Sequence, residues 1–77
     1  MANGQLTLEY NQQANDHVLI RLYNLNGEVL QTLFDGREAQ GLQTHSFRLT
    51  HSLSGGLYLV RYASGNADLA KKLFIQK

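Results

Sequence analysis

The stretch Ser54-Gly55-Gly56-Leu57-Tyr58-Leu59-Val60-Arg61-Tyr62 is the strongest indication of the fold in this sequence. It opens on two glycines, which adopt backbone angles that other residues avoid, and it continues into a segment rich in β-favouring residues. A glycine pair in this position predicts a tight corner that leads into a central strand. A short turn at Ser64-Gly65-Asn66 separates this strand from a last candidate strand, residues 67–76. We therefore expect a C-terminal hairpin, and we expect the functional residues to lie in it.

Four further strands are predicted upstream. Apolar and polar residues alternate with the period of a half-buried strand in most of them, whereas residues 28–34 carry apolar groups on both faces and are predicted as the return strand of a hairpin. These segments are residues 5–10, 17–23, 28–34 and 42–49. The side chains expected to face the core are Leu6, Leu8, Tyr10, Val18, Ile20, Leu22, Phe47 and Leu49. Residues 11–16 are expected to form a polar loop, and Leu53 is expected to plug one end of the core.

Glycines mark the expected turns between these strands. Asn26-Gly27 is the preferred pair for a type I′ hairpin turn, which would join the second strand to the third. Asp35-Gly36 indicates another turn, followed by a polar connection that ends at Gly41. The chain contains no proline, a residue that often protects exposed sheet edges. We expect Lys71, Lys72 and Arg21 to protect the edges instead.

Six short strands separated by regular turns predict an all-β fold. We expect a small immunoglobulin-like antiparallel β-sandwich of about six to seven strands, with a small barrel as the alternative. The 77 residues are expected to form one domain, 1–77, with residues 1–4 flexible or vector-derived. Because there is no cysteine, the core must be held by packing alone.

Composition restricts the classes of function. A hydrophobic content of 43% and a charged content of 17% favour a folded domain over a disordered tail. The net charge of +1 argues against nucleic acid as a partner. The apolar stretches are too short to span a bilayer, and residues 1–4 lack the features of a secretory signal. If the parent protein is exported, its export signal is expected outside this chain.

No pattern of catalytic or metal-binding residues emerges from the sequence. The serines lie outside any nucleophile elbow, and the carboxylates are scattered among turns and strands. His17, His45 and His51 are expected to be solvent-facing polar positions, without the spacing of metal ligands. We therefore expect no enzyme activity, no catalytic residues, no metal and no cofactor.

The tyrosines leave one alternative open. Tyr10, Tyr23, Tyr58 and Tyr62 would suit a carbohydrate-binding platform if they lay side by side on one surface. Buried tyrosines with one end in water are the commoner arrangement in a small sandwich. A carbohydrate-binding or adhesion module, or a structural spacer, of a secreted protein therefore remains an alternative function.

Five short segments form an ordered series of motifs along nearly the whole chain. They are Leu22-Tyr23-Asn24-Leu25-Asn26-Gly27, Val29-Leu30-Gln31-Thr32-Leu33, Gly41-Leu42-Gln43-Thr44-His45-Ser46-Phe47, Leu53-Ser54-Gly55-Gly56-Leu57-Tyr58-Leu59-Val60-Arg61 and Lys72-Leu73-Phe74-Ile75-Gln76-Lys77. In this order they resemble the type A C-terminal sorting domains of the type IX secretion system. The family pattern differs in having an aspartate at Asn24 and a basic residue at Glu28. Related modules of the flagellar hook-capping type share the Gly-x-Tyr hairpin and are a rival assignment.

The resemblance implies an immunoglobulin-like sandwich that acts as a sorting signal. The implied partners are an N-terminal cargo domain, the type IX outer-membrane translocon with its shuttle components, and a sortase-like peptidase that removes the domain at the cell surface. The implied location is secreted or on the cell surface, reached through the periplasm and outer membrane of a Gram-negative bacterium. Open edge strands also leave a homodimer as an option.

The resemblance also suggests which residues carry recognition. These are Gly56, Tyr58, Lys72, Leu73, Ile75 and Lys77, while Asn26, Gly27 and Gly41 are assigned to structural turns. We expect the last strand to offer its edge or its charged tail to a receptor by strand addition. Each of these residues also has a purely structural interpretation, as a corner glycine, a core side chain or a lysine that protects an edge.

Overall fold

The computed structural model describes residues 5–49 and 53–75, which form six β-strands and no helix. The strands are β1 (Gln5–Gln12), β2 (Asp16–Tyr23), β3 (Val29–Glu38), β4 (Gly41–Arg48), β5 (Gly56–Ser64) and β6 (Ala67–Ile75). One sheet has the order β3-β2-β5-β6, and the other consists of β1 and β4. Every pairing is antiparallel. The expectation of an all-β antiparallel sandwich is confirmed.

The core lies between the two sheets and is centred on β2. Val18, Ile20 and Leu22 are each at most 1% exposed, as their alternation predicts. Leu6 of the small sheet and Val60 of β5 close over them. Complete burial of an aliphatic side chain is worth about 1.5–3 kcal/mol, so this short row supplies much of the stability of a small domain.

The C-terminal hairpin forms as expected. Ser64 pairs with Ala67, which leaves Gly65 and Asn66 as a two-residue turn, and Gly65 has a φ of +54°. The pairing of β5 and β6 then runs without a bulge to Gly56 and Ile75. Because the register is continuous, alternate residues of β6 lie on opposite faces of the sheet.

The turn between β2 and β3 differs from the expected type I′ turn. The amide of Gly27 donates to the carbonyl oxygen of Asn24 at 3.1 Å, so Leu25 and Asn26 occupy the centre of the turn. The Asn24 side chain accepts hydrogen bonds from the amides of Asn26 and Glu28 and thereby stabilises one extra residue in the loop. Gly27 follows with a φ of +87°, the usual place for a glycine in such longer hairpin loops.

The expected turn at Asp35-Gly36 is wrong, because β3 continues through it to Glu38. Gly36 pairs with Val18 in regular register and has no positive φ. A Cβ at Gly36 would lie 3.4 Å from the Phe34 ring, which is an ordinary van der Waals distance, so neither space nor backbone angle requires a glycine here. The first loop is likewise shorter than expected, since only residues 13–15 separate β1 from β2.

Lys71 and Lys72 lie on β6, an edge strand of the larger sheet, but Arg21 does not protect an edge. Its strand, β2, pairs with β3 on one side and with β5 on the other. The local sequence cannot distinguish an inner strand from an edge strand, because both show the same alternation.

The two sides of the sandwich differ in how well they are closed. On one side, Gln31 of β3 donates its side-chain amide to the carbonyl oxygen of Arg48 at the end of β4, at 3.0 Å. On the other side, β1 and β6 leave a groove of about 510 Å³, lined in part by Tyr10, Leu69 and Lys71. No helix that could cross a membrane occurs in the described part of the chain.

Candidate recognition strand

Strand β6 has the features of a docking edge. Within the described residues it pairs with β5 alone, so its other side presents unpaired backbone groups. Leu69 and Phe74 are each 63% exposed, and they lie on opposite faces of the sheet. Few other described apolar side chains are so exposed, so the strand offers both backbone and apolar contacts.

The residues expected to mediate recognition divide into two kinds in the structure. Lys72 is exposed and lies opposite Leu59, on the face turned away from the small sheet, which is called the outer face below. Leu73 points the other way and packs against the core, and Ile75 is only 4% exposed. Leu73 and Ile75 therefore anchor β6, whereas Lys72 is free to contact solvent. Lys77 lies outside the described residues.

Gly56 and Tyr58 support the strand from β5. Gly56 pairs with Ile75 and has a φ of +151°, an angle that residues with a side chain rarely adopt. The Tyr58 hydroxyl donates to the Ser54 carbonyl oxygen at 2.7 Å, and its ring packs on the core opposite Leu73. Both residues thus fix the corner from which the hairpin starts.

The residues assigned to turns lie at strand ends. Asn26 and Gly27 belong to the β2–β3 turn, and Gly41 begins β4 with a φ of +119°. A glycine with such an angle allows the chain to reverse between β3, in the larger sheet, and β4, in the smaller one.

A polar cluster between the sheets was not expected from the sequence. The Glu38 side chain, 11% exposed, accepts a hydrogen bond from the Tyr10 hydroxyl at 2.8 Å and contacts Nε2 of His45. The His45 ring also stacks on Phe34, with 5.0 Å between centroids. The expectation that His45 faces solvent is therefore wrong, because a ring at this register of β4 faces the opposite sheet.

The contacts in this cluster shift the pKa values of Glu38 and Tyr10. Burial by itself raises the pKa of Glu38. The hydrogen bonds from Tyr10 and His45, together with the charge of His45, lower this pKa by more than burial raises it, so the net shift is downward. Burial and the neighbouring Glu38 both raise the pKa of Tyr10 well above its usual range. A charged Glu38 next to a neutral Tyr10 is therefore the favoured state at neutral pH.

The other histidines are placed differently. His17 is 56% exposed, as expected, and its Nε2 lies 2.5 Å from Asp35 Oδ1 on the outer face. His51 lies outside the described residues. In residues 5–49 and 53–75 no group of three or more His, Cys, Asp or Glu side chains is placed to hold a metal ion.

The tyrosines do not form a flat platform. The rings of Tyr10 and Tyr62 lie 5.0 Å apart but are tilted by 52°, and both are half-buried between the sheets. Tyr23 lies on the outer face, away from them. This arrangement corresponds to tyrosines that pack with one polar end satisfied, and not to a row of coplanar rings.

Gln12 is the buried polar residue that the sequence interpretation missed. It is 2% exposed, and its side-chain nitrogen donates to the carbonyl oxygen of Ala14 at 3.0 Å and to Ser64 Oγ at 2.9 Å. Its side-chain oxygen accepts a hydrogen bond from the Tyr62 hydroxyl. Nothing in the polar run around Gln12 distinguishes it from its exposed neighbours.

Comparison with known proteins identifies the family. The family model for the secretion system C-terminal sorting domain matches residues 2–76. Searches of curated proteins and of solved structures give no significant match. The family match covers nearly the whole chain, including the β5–β6 hairpin and the exposed edge described above. The chain therefore belongs to the secretion system C-terminal sorting domains, which are the sorting signals of type IX secretion.

Proposed function

We propose that the type IX machinery recognises this domain at β6, through the open backbone edge together with Lys72 and Lys77. The position of β6 at the edge of the larger sheet carries this proposal, because Leu69 and Phe74 are exposed on its two faces. A receptor strand added beside β6 would pair with the free backbone groups and cover both side chains. The positive charges of Lys72 and Lys77 would fix the register of the added receptor strand relative to β6.

We propose that the remaining site residues act indirectly. Leu73 and Ile75 hold β6 against the core, and Gly56 and Tyr58 hold the corner before β5. Loss of any of them would displace the edge without removing a receptor contact. Asn26, Gly27 and Gly41 would support the fold in the same indirect way.

The role of a sorting signal implies an N-terminal cargo and an interaction with the secretion machinery, and it implies a secreted or cell-surface protein. We propose that the contacts are with the outer-membrane translocon and its shuttle components, after passage through the periplasm of a Gram-negative cell. A cell-surface sortase-like peptidase would then remove the domain, residues 1–77. In this proposal the domain performs no chemistry itself.

The experiment is a C-terminal fusion of this domain to a secreted fluorescent reporter, in a host that carries the type IX machinery. A deletion of residues 72–77 would be a poor test, because it also removes the core side chains of Leu73 and Ile75. Lys72→Glu, Phe74→Ser and Lys77→Ala change side chains without cutting the strand. Lys71→Glu is the matched control, because it makes the same charge change at an exposed neighbour on the opposite face of β6.

We expect the substitutions at Lys72, Phe74 and Lys77 each to lower the extracellular reporter several-fold, with retention in the periplasm. The Lys71 variant should be exported like the wild type. Circular dichroism of the purified variants checks that each is folded. Normal export of all three folded variants would contradict recognition at β6.

The same open edge supports a second proposal, that the isolated domain pairs as a homodimer through β6. Sedimentation velocity of the wild type and of Phe74→Lys tests it. We expect a concentration-dependent dimer that the substitution abolishes. A wild-type monomer at high concentration would exclude the dimer and leave the receptor proposal unaffected.

A further inference from the structure

Two arginines face each other in the middle of the larger sheet. Arg21 of β2 and Arg61 of β5 are direct register partners, and both lie on the outer face. Like charges directly opposite each other on neighbouring strands are destabilising unless something compensates them. Both strands are inner strands, with neighbours on both sides. The pair is therefore a part of the sheet centre that needs a compensating charge.

Arg21 has an unsatisfied polar atom. Its Nε is buried and makes no hydrogen bond within the part of the chain that the structure describes. A guanidinium stays protonated in proteins, so this donor cannot be removed by loss of a proton. A buried donor without a partner costs free energy, and it suggests that a group outside the chain completes the site.

Among the residues that the structure describes, Arg61 forms an ion pair with a carboxylate, whereas Arg21 forms none. The Nε of Arg61 donates to Asp68 Oδ1 at 2.9 Å and its Nη2 to Asp68 Oδ2 at 2.5 Å, a two-point contact with one carboxylate. Asp68 is about half exposed and lies on β6, on the side of Arg61 that is remote from Arg21. One carboxylate for two guanidinium groups leaves one positive charge locally unbalanced.

The two arginines line a recess in the outer face. This recess has a volume of about 210 Å³, and its other lining residues are Leu19, Tyr23 and Ala63. A second recess of about 450 Å³ shares Tyr23 and Arg61 with it. The apolar side chains reduce contact with water, which strengthens an electrostatic contact at this position.

We propose that the outer face binds an oxyanion, a carboxylate or a phosphate group, between Arg21 and Arg61. A guanidinium presents its donors in a planar fork that matches these groups in two-point contacts. The bound oxyanion would accept a hydrogen bond from Arg21 Nε–H and would neutralise the positive charge that Asp68 leaves uncompensated. The site is separate from the β6 edge and does not depend on the receptor proposal.

The test is an NMR titration of the isotopically labelled 77-residue chain, observed at the arginine Nε–H signals. The probes are inorganic phosphate and succinate, with sodium chloride at matched ionic strength as the reference. We expect a saturable shift of the Arg21 signal with one or both probes. A response to phosphate alone would identify a phosphate site, and a response to succinate alone would identify a carboxylate site.

Three variants sharpen the test. Arg21→Gln should weaken binding roughly tenfold, the usual effect of losing one charged hydrogen bond. Asp68→Asn should tighten binding several-fold, because it releases the fork of Arg61 for the anion. Arg37→Gln is the matched control, because Arg37 is exposed on the same face but does not line the recess. Its affinity should equal that of the wild type.

Arg21→Lys keeps the charge and removes the fork, and it replaces Arg21→Gln if that variant does not fold. A shift that does not saturate, an equal response to chloride, or unchanged affinity in the Arg21 variant would overturn the proposal. Weaker binding in the Asp68 variant would also overturn it. Protection against thermal unfolding by the effective probe gives an independent readout, because a ligand that binds only the folded state raises its stability.

Discussion

The hydroxyl of Tyr10 donates a hydrogen bond to Glu38 Oε1 at 2.8 Å, and this contact joins the two sheets of the sandwich. Tyr10 belongs to β1 of the small sheet and Glu38 to the end of β3 in the larger one. His45 of β4 contacts the same carboxylate. A single acidic side chain therefore ties three strands together at one end of the molecule.

This cluster predicts a loss of stability in acid. The pKa of Glu38 is lower in the folded protein than in the unfolded chain, where it is about 4.3. The contribution of Glu38 to the free energy of unfolding is therefore complete above its pKa in the unfolded chain. It is lost as the pH falls toward its pKa in the folded protein. Glu38→Gln should cost about 1–3 kcal/mol at pH 7. Urea unfolding at neutral and acidic pH measures this.

The control for the acid prediction is Asp68→Asn. Its hydrogen bonds with Arg61 also lower the pKa of Asp68, but that pair is exposed and screened by solvent. The free energy of unfolding of Asp68→Asn should therefore fall with acid almost as much as that of the wild type. That of Glu38→Gln should fall less. Identical acid sensitivity in the wild type and Glu38→Gln would contradict a stabilising role of the charged carboxylate.

The buried amide of Gln12 predicts a large cost of truncation. Gln12→Ala removes the hydrogen-bond partner of the Tyr62 hydroxyl and of the Ala14 carbonyl, while the Ser64 hydroxyl keeps its bond to the His17 carbonyl oxygen. We expect a loss of about 2–4 kcal/mol in the free energy of unfolding. Tyr62→Phe should cost about 1 kcal/mol. The double mutant should cost less than the sum, because the two residues are directly coupled.

The backbone angle of Gly56 predicts a position-specific effect. Gly56→Ala should lower the free energy of unfolding by about 1–3 kcal/mol, because alanine is strained at a φ of +151° even though space is available there. Gly36→Ala is the control, since Gly36 has no positive φ and its added Cβ would make an ordinary contact with Phe34. That change should stay below about 1 kcal/mol. Equal effects at both positions would argue against backbone strain at the corner.

Tyr58 allows a structural role to be separated from a recognition role. Tyr58→Phe removes the hydrogen bond to Ser54 but keeps the ring on the core, so it should cost about 0.5–1.5 kcal/mol. Reporter export should stay close to that of the wild type. A folded variant with lost export would instead show that the hydroxyl itself contacts the receptor.

The sequence by itself determined the local features of this protein. The alternation in residues 17–23 predicted the buried row of Val18, Ile20 and Leu22, and the glycine pair predicted the corner before β5. The turn at Gly65-Asn66 predicted the C-terminal hairpin, and the ordered motifs predicted the family. These features depend on side-chain alternation and on backbone preferences within a few residues, and both can be read from neighbouring positions.

The tertiary structure alone decided which of these segments meet. It made β2 an inner strand and thereby set Arg21 opposite Arg61, and it brought Glu38 and His45 together between the sheets. It also buried Gln12 against Ser64 and Tyr62, about fifty positions away, and turned Leu73 inward and Lys72 outward on β6. Strand order and sheet stacking follow from contacts distant in the sequence, and the same alternation is compatible with several partners. Charge pairing and burial of polar groups therefore emerge only once the two sheets are packed.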